Sequence, residues 1–219
     1  MKVVIAPHID DAFLSLGGSI LNWLKHEKVR IIYLFSVSSF THDENIHKKT
    51  YPSDVAFVTS LRKEEELSVQ KLTGTEVIFL DMACRSARDH DLDMGYVKDV
   101  LLKVISKDDT LFFPLSIGKH VDHILVYELG KSLLKGGYNI FFYEDLPYMT
   151  KKRDISLYTS DILLSPVIKD IDIKTKLKLL RLYESQMTYG WLYNVESYAY
   201  FLGDEKRYCE RYWCPKISL

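Results

Sequence analysis

The pattern that most constrains the fold is an alternation of short β-rich runs with helical stretches, which continues to about residue 186. Strands that alternate with helices in this way favour βαβ units and a parallel sheet. Since crossovers between parallel strands are right-handed, we predict a doubly wound, Rossmann-like three-layer α/β/α sandwich with a mainly parallel sheet. In the strand order 3-2-1-4-5, the first and fourth strands are neighbours at the switch point, where ligands of such folds bind.

The element boundaries follow from hydrophobic periodicity and turn residues. The predicted strands are residues 2–6, 29–37, 76–80, 110–115, 139–146 and 163–167. The predicted helices are residues 11–28, 55–72, 96–106, 120–135 and 171–186. The polar segment 39–52 is predicted to be a long loop.

Charge and cysteine content exclude several classes of protein. The 29 Lys and Arg residues balance 30 Asp and Glu residues, so the net charge of -1 creates no overall field for nucleic acid or anionic lipid. No stretch is long and apolar enough to span a bilayer, and the N-terminal residues do not resemble a signal peptide. Cys84, Cys209 and Cys214 form no C-x-x-C pair, which disfavours a disulfide framework or a zinc finger. We therefore expect a soluble, cytoplasmic protein.

Two polar clusters follow the first and fourth predicted strands, and the predicted order brings both to one crevice. The first is PHIDD (residues 7–11) and the second is HVDH (residues 120–123). Histidines and carboxylates that converge in this way have the composition of a metal site, and catalytic zinc uses three protein ligands plus water. The spacing alone leaves several assignments open among His120, Asp122 and His123.

Each cluster also has a purely structural interpretation. Asp10 or Asp11 would serve equally well as a helix N-cap, and a lone His-x-x-His is a weak signal. The two clusters together at neighbouring strand ends favour the metal site. The pair Gly17-Gly18 lacks the G-x-G-x-x-G spacing of a dinucleotide site, so we expect it to permit close packing between helix and strand instead.

At these residues the sequence resembles the LmbE/PIG-L family of zinc-dependent N-deacetylases. PHIDDA (residues 7–12) with its following Gly-Gly pair resembles the family's [AP]-H-P-D-D-E motif, and HVDH matches the later H-x-D-H motif. RKEE (residues 62–65) and YESQ (residues 183–186) resemble two weaker helix signatures. Ile9 and Ala12 depart from the usual Pro and Glu; that Glu is not a zinc ligand, and its loss affects the surroundings of the ligands.

The resemblance implies one zinc ion per chain and a role for each residue of the motifs. The implied zinc ligands are His8, Asp11 and His123. Asp10 would be the general base. His120 would stabilise the oxyanion or protonate the leaving amine, and Asp122 would orient His120 and raise its pKa. Acetate and a free amine would be the products.

The resemblance also implies an N-acetylated amino sugar as the substrate, such as an N-acetylglucosamine derivative, either free or in a conjugate. The candidate substrate contacts are Arg62, Arg85, Glu144, Asp145 and Tyr148. In this interpretation Tyr148 stacks on a ring and the carboxylates hold hydroxyls; the alternative for the segment is a strand-end turn. Arg85 and Arg88 could meet a phosphate of a nucleotide sugar, and the alternative is that both arginines are exposed and solvated.

Two other functions stay open: a different metal-dependent amidohydrolase or phosphoesterase, which usually brings a second metal ion, and a catalytically inactive sugar-binding relative. We expect a single catalytic domain over residues 1–219. With 15 Tyr, 10 Phe and 3 Trp in the chain, the aromatic region at about residues 187–219 is expected to pack on this domain or on a neighbouring subunit of a homo-oligomer.

Overall fold

The strands join in one seven-stranded sheet in the computed structural model, which describes residues 1–42, 52–151 and 162–216. In chain order they are β1 (Lys2–Ala6), β2 (Val29–Tyr33), β3 (Glu76–Phe79), β4 (Thr110–Pro114), β5 (Asn139–Tyr143), β6 (Leu164–Asp170) and β7 (Cys209–Pro215). Their order across the sheet is β3-β2-β1-β4-β5-β7-β6. The first five strands pair in parallel, and β7 runs antiparallel to both β5 and β6. The predicted Rossmann-like α/β fold and the order 3-2-1-4-5 are confirmed.

Six α-helices connect the described strands. They are α1 (Asp11–Trp23), α2 (Val55–Thr73), α3 (Met94–Leu102), α4 (Val121–Lys135), α5 (Ile173–Leu180) and α6 (Tyr189–Leu202). Two short 3₁₀ helices cover Arg85–Ala87 and Tyr148–Lys151. Within the described ranges, no helix is both long and apolar enough to cross a membrane.

The central strands are the most apolar because both of their faces are covered. Val3, Val4, Ile5 and Ala6 of β1 are fully buried, and β4 is buried from Leu111 onward. Continuous apolar runs of this kind are typical of parallel strands with helices on both sides. Because β1 and β4 are paired neighbours, the two polar clusters that follow them leave the sheet at the same edge.

The residues at the ends of α2 and α3 are of the types that commonly cap helices. The carboxylates of Asp54 and Asp93 accept hydrogen bonds from the backbone N–H groups of Phe57 and Tyr96, which caps α2 and α3. Gly74 ends α2 with a left-handed φ of 78°, a conformation that glycine adopts without steric cost.

Several predicted boundaries are wrong. The strand predicted over 29–37 ends at Tyr33, after which only Val37 makes an isolated bridge to Ala83. The helices predicted over 11–28 and 171–186 are shorter, because turns follow Trp23 and Leu180. Residues 43–51 of the predicted 39–52 loop lie outside the described residues.

The C-terminal region contains two elements that the hydrophobic pattern did not predict, α6 and β7. The β7 strand lies between β5 and β6, so β6 reaches the sheet only through β7. Because β7 runs antiparallel to both of its neighbours, it does not belong to a parallel βαβ unit of the kind that revealed the first five strands.

The Gly17-Gly18 pair makes room for the segment that leads into α5 rather than for a strand. A Cβ atom on Gly18 would lie 2.5 Å from Ile171, and one on Gly17 would lie 3.3 Å from Lys176. Lys176 is buried and its Nζ lies 2.7 Å from the Glu210 carboxylate of β7. The same carboxylate accepts the backbone N–H of Gly18 at 2.8 Å, so the glycine pair lets α1, α5 and β7 meet.

Candidate metal centre

Three side chains from the two polar clusters form a small triangle of metal-binding atoms. His8 follows β1, Asp11 begins α1, and His123 lies in the first turn of α4. His8 Nδ1, Asp11 Oδ2 and His123 Nε2 lie 3.3 Å from one another along each of the three edges. This convergence follows from the pairing of β1 with β4, because the first cluster directly follows β1 and the second follows β4 after a five-residue segment, 115–119.

The triangle fits a zinc ion. A regular tetrahedron with edges of 3.3 Å has its centre about 2.0 Å from each corner, which is the usual distance from zinc to histidine nitrogen and carboxylate oxygen. His120 also places a ring nitrogen within 4.8 Å of those of His8 and His123. The set with Asp11 is the tighter and more buried of the two, since the His120 side chain is 39% exposed.

Burial would keep Asp11 protonated, but the neighbouring imidazoles of His123 and His8 hold the pKa of Asp11 well below its ordinary value. Asp11 is therefore a carboxylate, the form that binds a cation. The same proximity raises the pKa of His123 well above its ordinary value against the effect of burial. Opposite charge thus holds the three groups together, and they could offer a metal ion one carboxylate and two imidazole donors.

Asp122 supports His8. Its carboxylate Oδ2 lies 2.9 Å from His8 Nε2, accepts the backbone N–H of Arg85 at 2.9 Å, and its Oδ1 pairs with the Arg88 guanidinium. The Asp122 side chain is completely buried. These contacts differ from the expected pairing with His120, whose Nδ1 lies 3.9 Å from the carboxylate. A carboxylate on the second nitrogen of a metal-binding histidine fixes the ring and its tautomer.

Asp145 supports His123 in the same way. Its Oδ1 pairs with His123 Nδ1 and its Oδ2 accepts the backbone N–H of Ile117 at 3.0 Å. Asp145 is only 1% exposed. Each histidine of the triangle therefore has a buried carboxylate behind it, an arrangement typical of metal sites and of little use to two isolated core histidines.

Asp10 is held in an uncommon backbone conformation beside the triangle. Its φ is 112° and its side chain does not cap α1, so the N-cap interpretation fails for this carboxylate. Arg62 of α2 binds both the carbonyl of Ile9 and the Asp10 carboxylate, the latter at 3.3 Å. Burial raises the pKa of Asp10 to about 7 against the opposing charge of Arg62. A carboxyl group with such a pKa exchanges a proton near neutral pH.

His120 lies at the start of α4 and faces the cavity. Its Nδ1 accepts the backbone N–H of Asp122 at 3.2 Å, which places the proton of a neutral ring on Nε2. Burial and the nearby His8 lower the pKa of His120, and Asp122 only partly opposes this. The sequence predicted a protonated His120, but the structure gives a neutral imidazole whose Nε2 is the donor.

A cavity of about 240 Å³ opens beside these groups. Two of the five candidate substrate contacts, Arg62 and Tyr148, line it. The other three lie elsewhere: the Arg85 guanidinium donates to the carbonyl of Arg88, and Asp145 stands behind His123. Glu144 is buried against the C-terminal elements, where it accepts hydrogen bonds from Tyr198, Arg211 and Trp213.

Sequence patterns did not single out several residues that line the cavity. They come from the loop after β2, from the first 3₁₀ helix and the residue before it, and from the C-terminal region, and are Ser38, Phe40, Cys84, Ser86 and Trp191. Gln186, the last residue of the YESQ signature, also lines the cavity. The surplus of aromatic residues after residue 186 was the only sequence signal for Trp191.

The chain was compared with models of protein families, with curated proteins and with solved structures. The family model described as PIG-L, GlcNAc-PI de-N-acetylase, matches residues 3–134, which is more than half of the chain. The chain belongs to the PIG-L family. The matched region includes both motifs that supply the triangle, and it ends before β5 and the C-terminal elements.

Several proteins that are similar to this PIG-L chain are named as deacetylases. A 2'-N-acetylparomamine deacetylase from Streptomyces fradiae is 27% identical over 171 residues, which is 71% of this chain but only 60% of that relative's length. The A40926 pseudoaglycone deacetylase Dbv21 shares the fold, with a TM-score of 0.78 and 21% identity over 98% of this chain and 96% of its own. The zinc-inhibited form of teicoplanin deacetylase Orf2 has a TM-score of 0.77 and 16% identity over 100% and 99% of the two chains.

Proposed function

We propose that this chain is a zinc-dependent N-deacetylase that removes the acetyl group from an amino sugar or an amino-sugar conjugate. The observation that carries the proposal is the triangle of His8, Asp11 and His123, with edges of 3.3 Å, at the wall of a cavity that also presents Asp10. Membership of the PIG-L family and the deacetylase names of its relatives support the reaction type.

The choice of zinc is supported by the donor set. Two imidazole nitrogens and one carboxylate oxygen suit zinc, and three protein ligands leave a position open for chemistry. The zinc-inhibited crystal form of Orf2 indicates that metal titrations need both equimolar and excess zinc. When bound, zinc supplies Lewis acidity, which makes water a stronger acid and the amide carbon a better electrophile.

Asp10 is the proposed general base. It takes a proton from the attacking water, and its pKa of about 7 lets it accept that proton and later return it near neutral pH. Arg62 holds the Asp10 carboxylate at 3.3 Å and so keeps it directed toward the cavity. Arg62 therefore positions the base and is already engaged, which reduces its role as a substrate contact.

His120 is the proposed hydrogen-bond donor to the oxygen that becomes negatively charged. Its neutral ring carries the proton on Nε2, because Nδ1 is occupied by the backbone N–H of Asp122. A preorganised donor of this kind stabilises the charge of the transition state without a reorganisation cost. Asp122 then contributes through His8, to which it is bonded at 2.9 Å.

We further propose that residues 1–219 act as one catalytic domain, since β7 of the C-terminal region is inserted within the sheet beside β5. The cytoplasmic location and the homo-oligomer stay predictions. N-acetylglucosamine as the sugar is likewise a proposal.

The test measures acetate and free amine released from a panel of N-acetyl sugars, together with bound zinc. Asp10→Asn should keep zinc and lose at least about 100-fold in kcat, because general bases typically contribute 10²–10⁴. His123→Ala should lose zinc as well. Asp81→Asn is the matched control, since Asp81 also has a positive φ of 54° but pairs with Lys63 outside the cavity. Near-full turnover by Asp10→Asn would disprove the base assignment.

A further inference from the structure

The residues that line the cavity are of two chemical kinds. The proposed zinc ligands and Asp10 are polar, whereas the rings of Phe40 and Trp191, here called the aromatic wall, are apolar. Tyr148 also lines the cavity, with its ring centroid 6.2 Å from that of His123. Trp191 comes from α6, which lies beyond the region shared with the family model. Part of the aromatic wall therefore lies outside the residues that the family model matches.

The aromatic wall is held rigidly. His42 lies between its two rings, with its ring centroid 5.1 Å from that of Phe40 and 4.6 Å from that of Trp191. The His42 backbone N–H donates to the carbonyl of Ser185 at 2.9 Å, and Gln186 Nε2 donates to the carbonyl of Phe40 at 3.1 Å. These bonds tie the loop after β2 to the C-terminal region, so the wall is preorganised for a ligand.

The base of this wall is anchored on α2. The Glu65 carboxylate accepts both the backbone N–H and the hydroxyl of Ser185, at 2.7 and 2.8 Å. Thr188 caps α6 by accepting the backbone N–H of Trp191 at 3.1 Å. These hydrogen bonds hold the backbone before and after the turn that precedes α6, and so they fix the backbone position of Trp191.

The charges of the cavity do not favour a phosphate. Among the described residues that line it, Arg62 is the sole Lys or Arg. Both terminal nitrogens of Arg62 are engaged, one by the Ser38 hydroxyl and the other by the Ile9 carbonyl and the Asp10 carboxylate. The remaining Nε is buried. Apart from the proposed zinc ion, the described residues of the cavity would present to a phosphate the carboxylates of Asp10 and Asp11 and no free cationic side chain.

The size of the cavity limits what enters. About 240 Å³ is below the roughly 300–1,000 Å³ that encloses drug-sized ligands, so one sugar ring enters while the rest of a conjugate stays outside. A pyranose ring presents an apolar face of C–H groups, which packs against aromatic rings.

We infer that Trp191 and Phe40 form the stacking wall for the apolar face of a neutral N-acetylhexosamine ring, and that this wall selects the substrate. The inference rests on the proposed function and names its substrate class. Asp10 and the zinc ligands line the same cavity, so a ring packed on this wall lies in the cavity that contains the groups proposed to act on its acetamido group. The described side chains of the cavity offer a phosphate group of a conjugate no unengaged Lys or Arg.

The test combines kinetics with intrinsic fluorescence. Trp191→Leu should raise the KM for methyl N-acetyl-β-glucosaminide by about tenfold or more, while kcat changes by less than about threefold. Trp191→Phe, which keeps a ring, should raise KM by at most about threefold. Trp23→Phe is the matched control, because Trp23 stacks on Phe112 outside the cavity. The UDP-linked sugar should show no lower KM than the methyl glycoside.

In the zinc-free protein, sugar binding can be measured by tryptophan fluorescence without any catalytic turnover. The methyl glycoside should change the tryptophan emission of the wild type and of Trp23→Phe, but not that of Trp191→Phe. If this change occurs and no sugar releases acetate, the proposed reaction fails and the stacking wall stands. If acetate is released but KM and emission are the same in the Trp191 variants, the wall is disproved. A tenfold lower KM for the UDP-linked sugar would disprove the neutral substrate class.

Discussion

Replacement of Glu144 by alanine should destabilise the protein by about 3–5 kcal/mol, the usual cost of breaking a buried ion pair. Glu144 is 3% exposed and accepts hydrogen bonds from Tyr198 Oη at 2.6 Å, Arg211 Nε at 2.6 Å and Trp213 Nε1 at 2.9 Å. The alanine variant leaves a cation and two polar groups without their acceptor. Because each kcal/mol shifts the Tm of a domain of this size by roughly 2–4 °C, a fall of about 6–20 °C is expected.

The assay is urea unfolding followed by circular dichroism. Glu144→Gln keeps the volume and one acceptor, so its loss should be smaller, about 1–3 kcal/mol. Asp170→Asn is the matched control, since it removes an exposed ion pair with Arg207 on the same side of the sheet and should change stability by less than about 1 kcal/mol. A loss of under about 1 kcal/mol in Glu144→Ala would refute the assignment of Glu144 as the anchor of the C-terminal region.

Glu144→Ala should also change the rate at which the proposed metal centre loses zinc. Asp145, the next residue along the chain, holds His123. Loosening of the end of β5 should therefore speed the loss of zinc to a chelator in Glu144→Ala but not in Asp170→Asn. Equal rates in the two variants would show that the C-terminal anchor and the metal site are independent.

Three further results are expected. Burial raises the pKa of Glu66 to about 7. The folded state therefore binds more protons than the unfolded state between about pH 4.5 and 7, and the free energy of unfolding falls as the pH rises through this window. Glu66→Gln should reduce that slope by up to about 1.4 kcal/mol per pH unit, as measured by urea unfolding. Gly18→Ala places a Cβ 2.5 Å from a neighbouring side chain and should lower the unfolding free energy by about 1–3 kcal/mol, whereas Gly190→Ala, with 3.8 Å of clearance, should not; equal effects would contradict the close packing at Gly18. Asp122→Asn should weaken zinc binding about 10- to 100-fold in a chelator competition, and unchanged affinity would show that Asp122 does not act through His8.

The sequence predicted best those features of the fold that follow from local hydrophobic patterns. The buried run of β1 and the alternation of strands with helices predicted five parallel strands in their observed order. Because strand order determines which loops are neighbours, it also predicted that the segments containing His8 and His123 meet. The distance of 3.3 Å between those two imidazoles follows from the fold rather than from either motif alone.

The partners of the functional groups were not predictable from the sequence. A carboxylate two residues after His120 looks like its partner, but helix geometry makes His120 the N-cap of α4 and turns Asp122 toward His8. Glu144 and Asp145 are adjacent, yet the alternation of side chains at a strand end directs one to β7 and the other to His123. Long-range contacts of this kind leave no periodic signal.

The most direct test of the central claim is acetate release from methyl N-acetyl-β-glucosaminide with one equivalent of zinc, without added metal after chelation, and with zinc restored. The proposal predicts equal amounts of acetate and free amine, loss of both on chelation, recovery with one equivalent of zinc, and no recovery in His123→Ala. Acetate release that persists in the zinc-free protein, or in His123→Ala, would contradict the assignment of His8, Asp11 and His123 as the metal centre of a deacetylase.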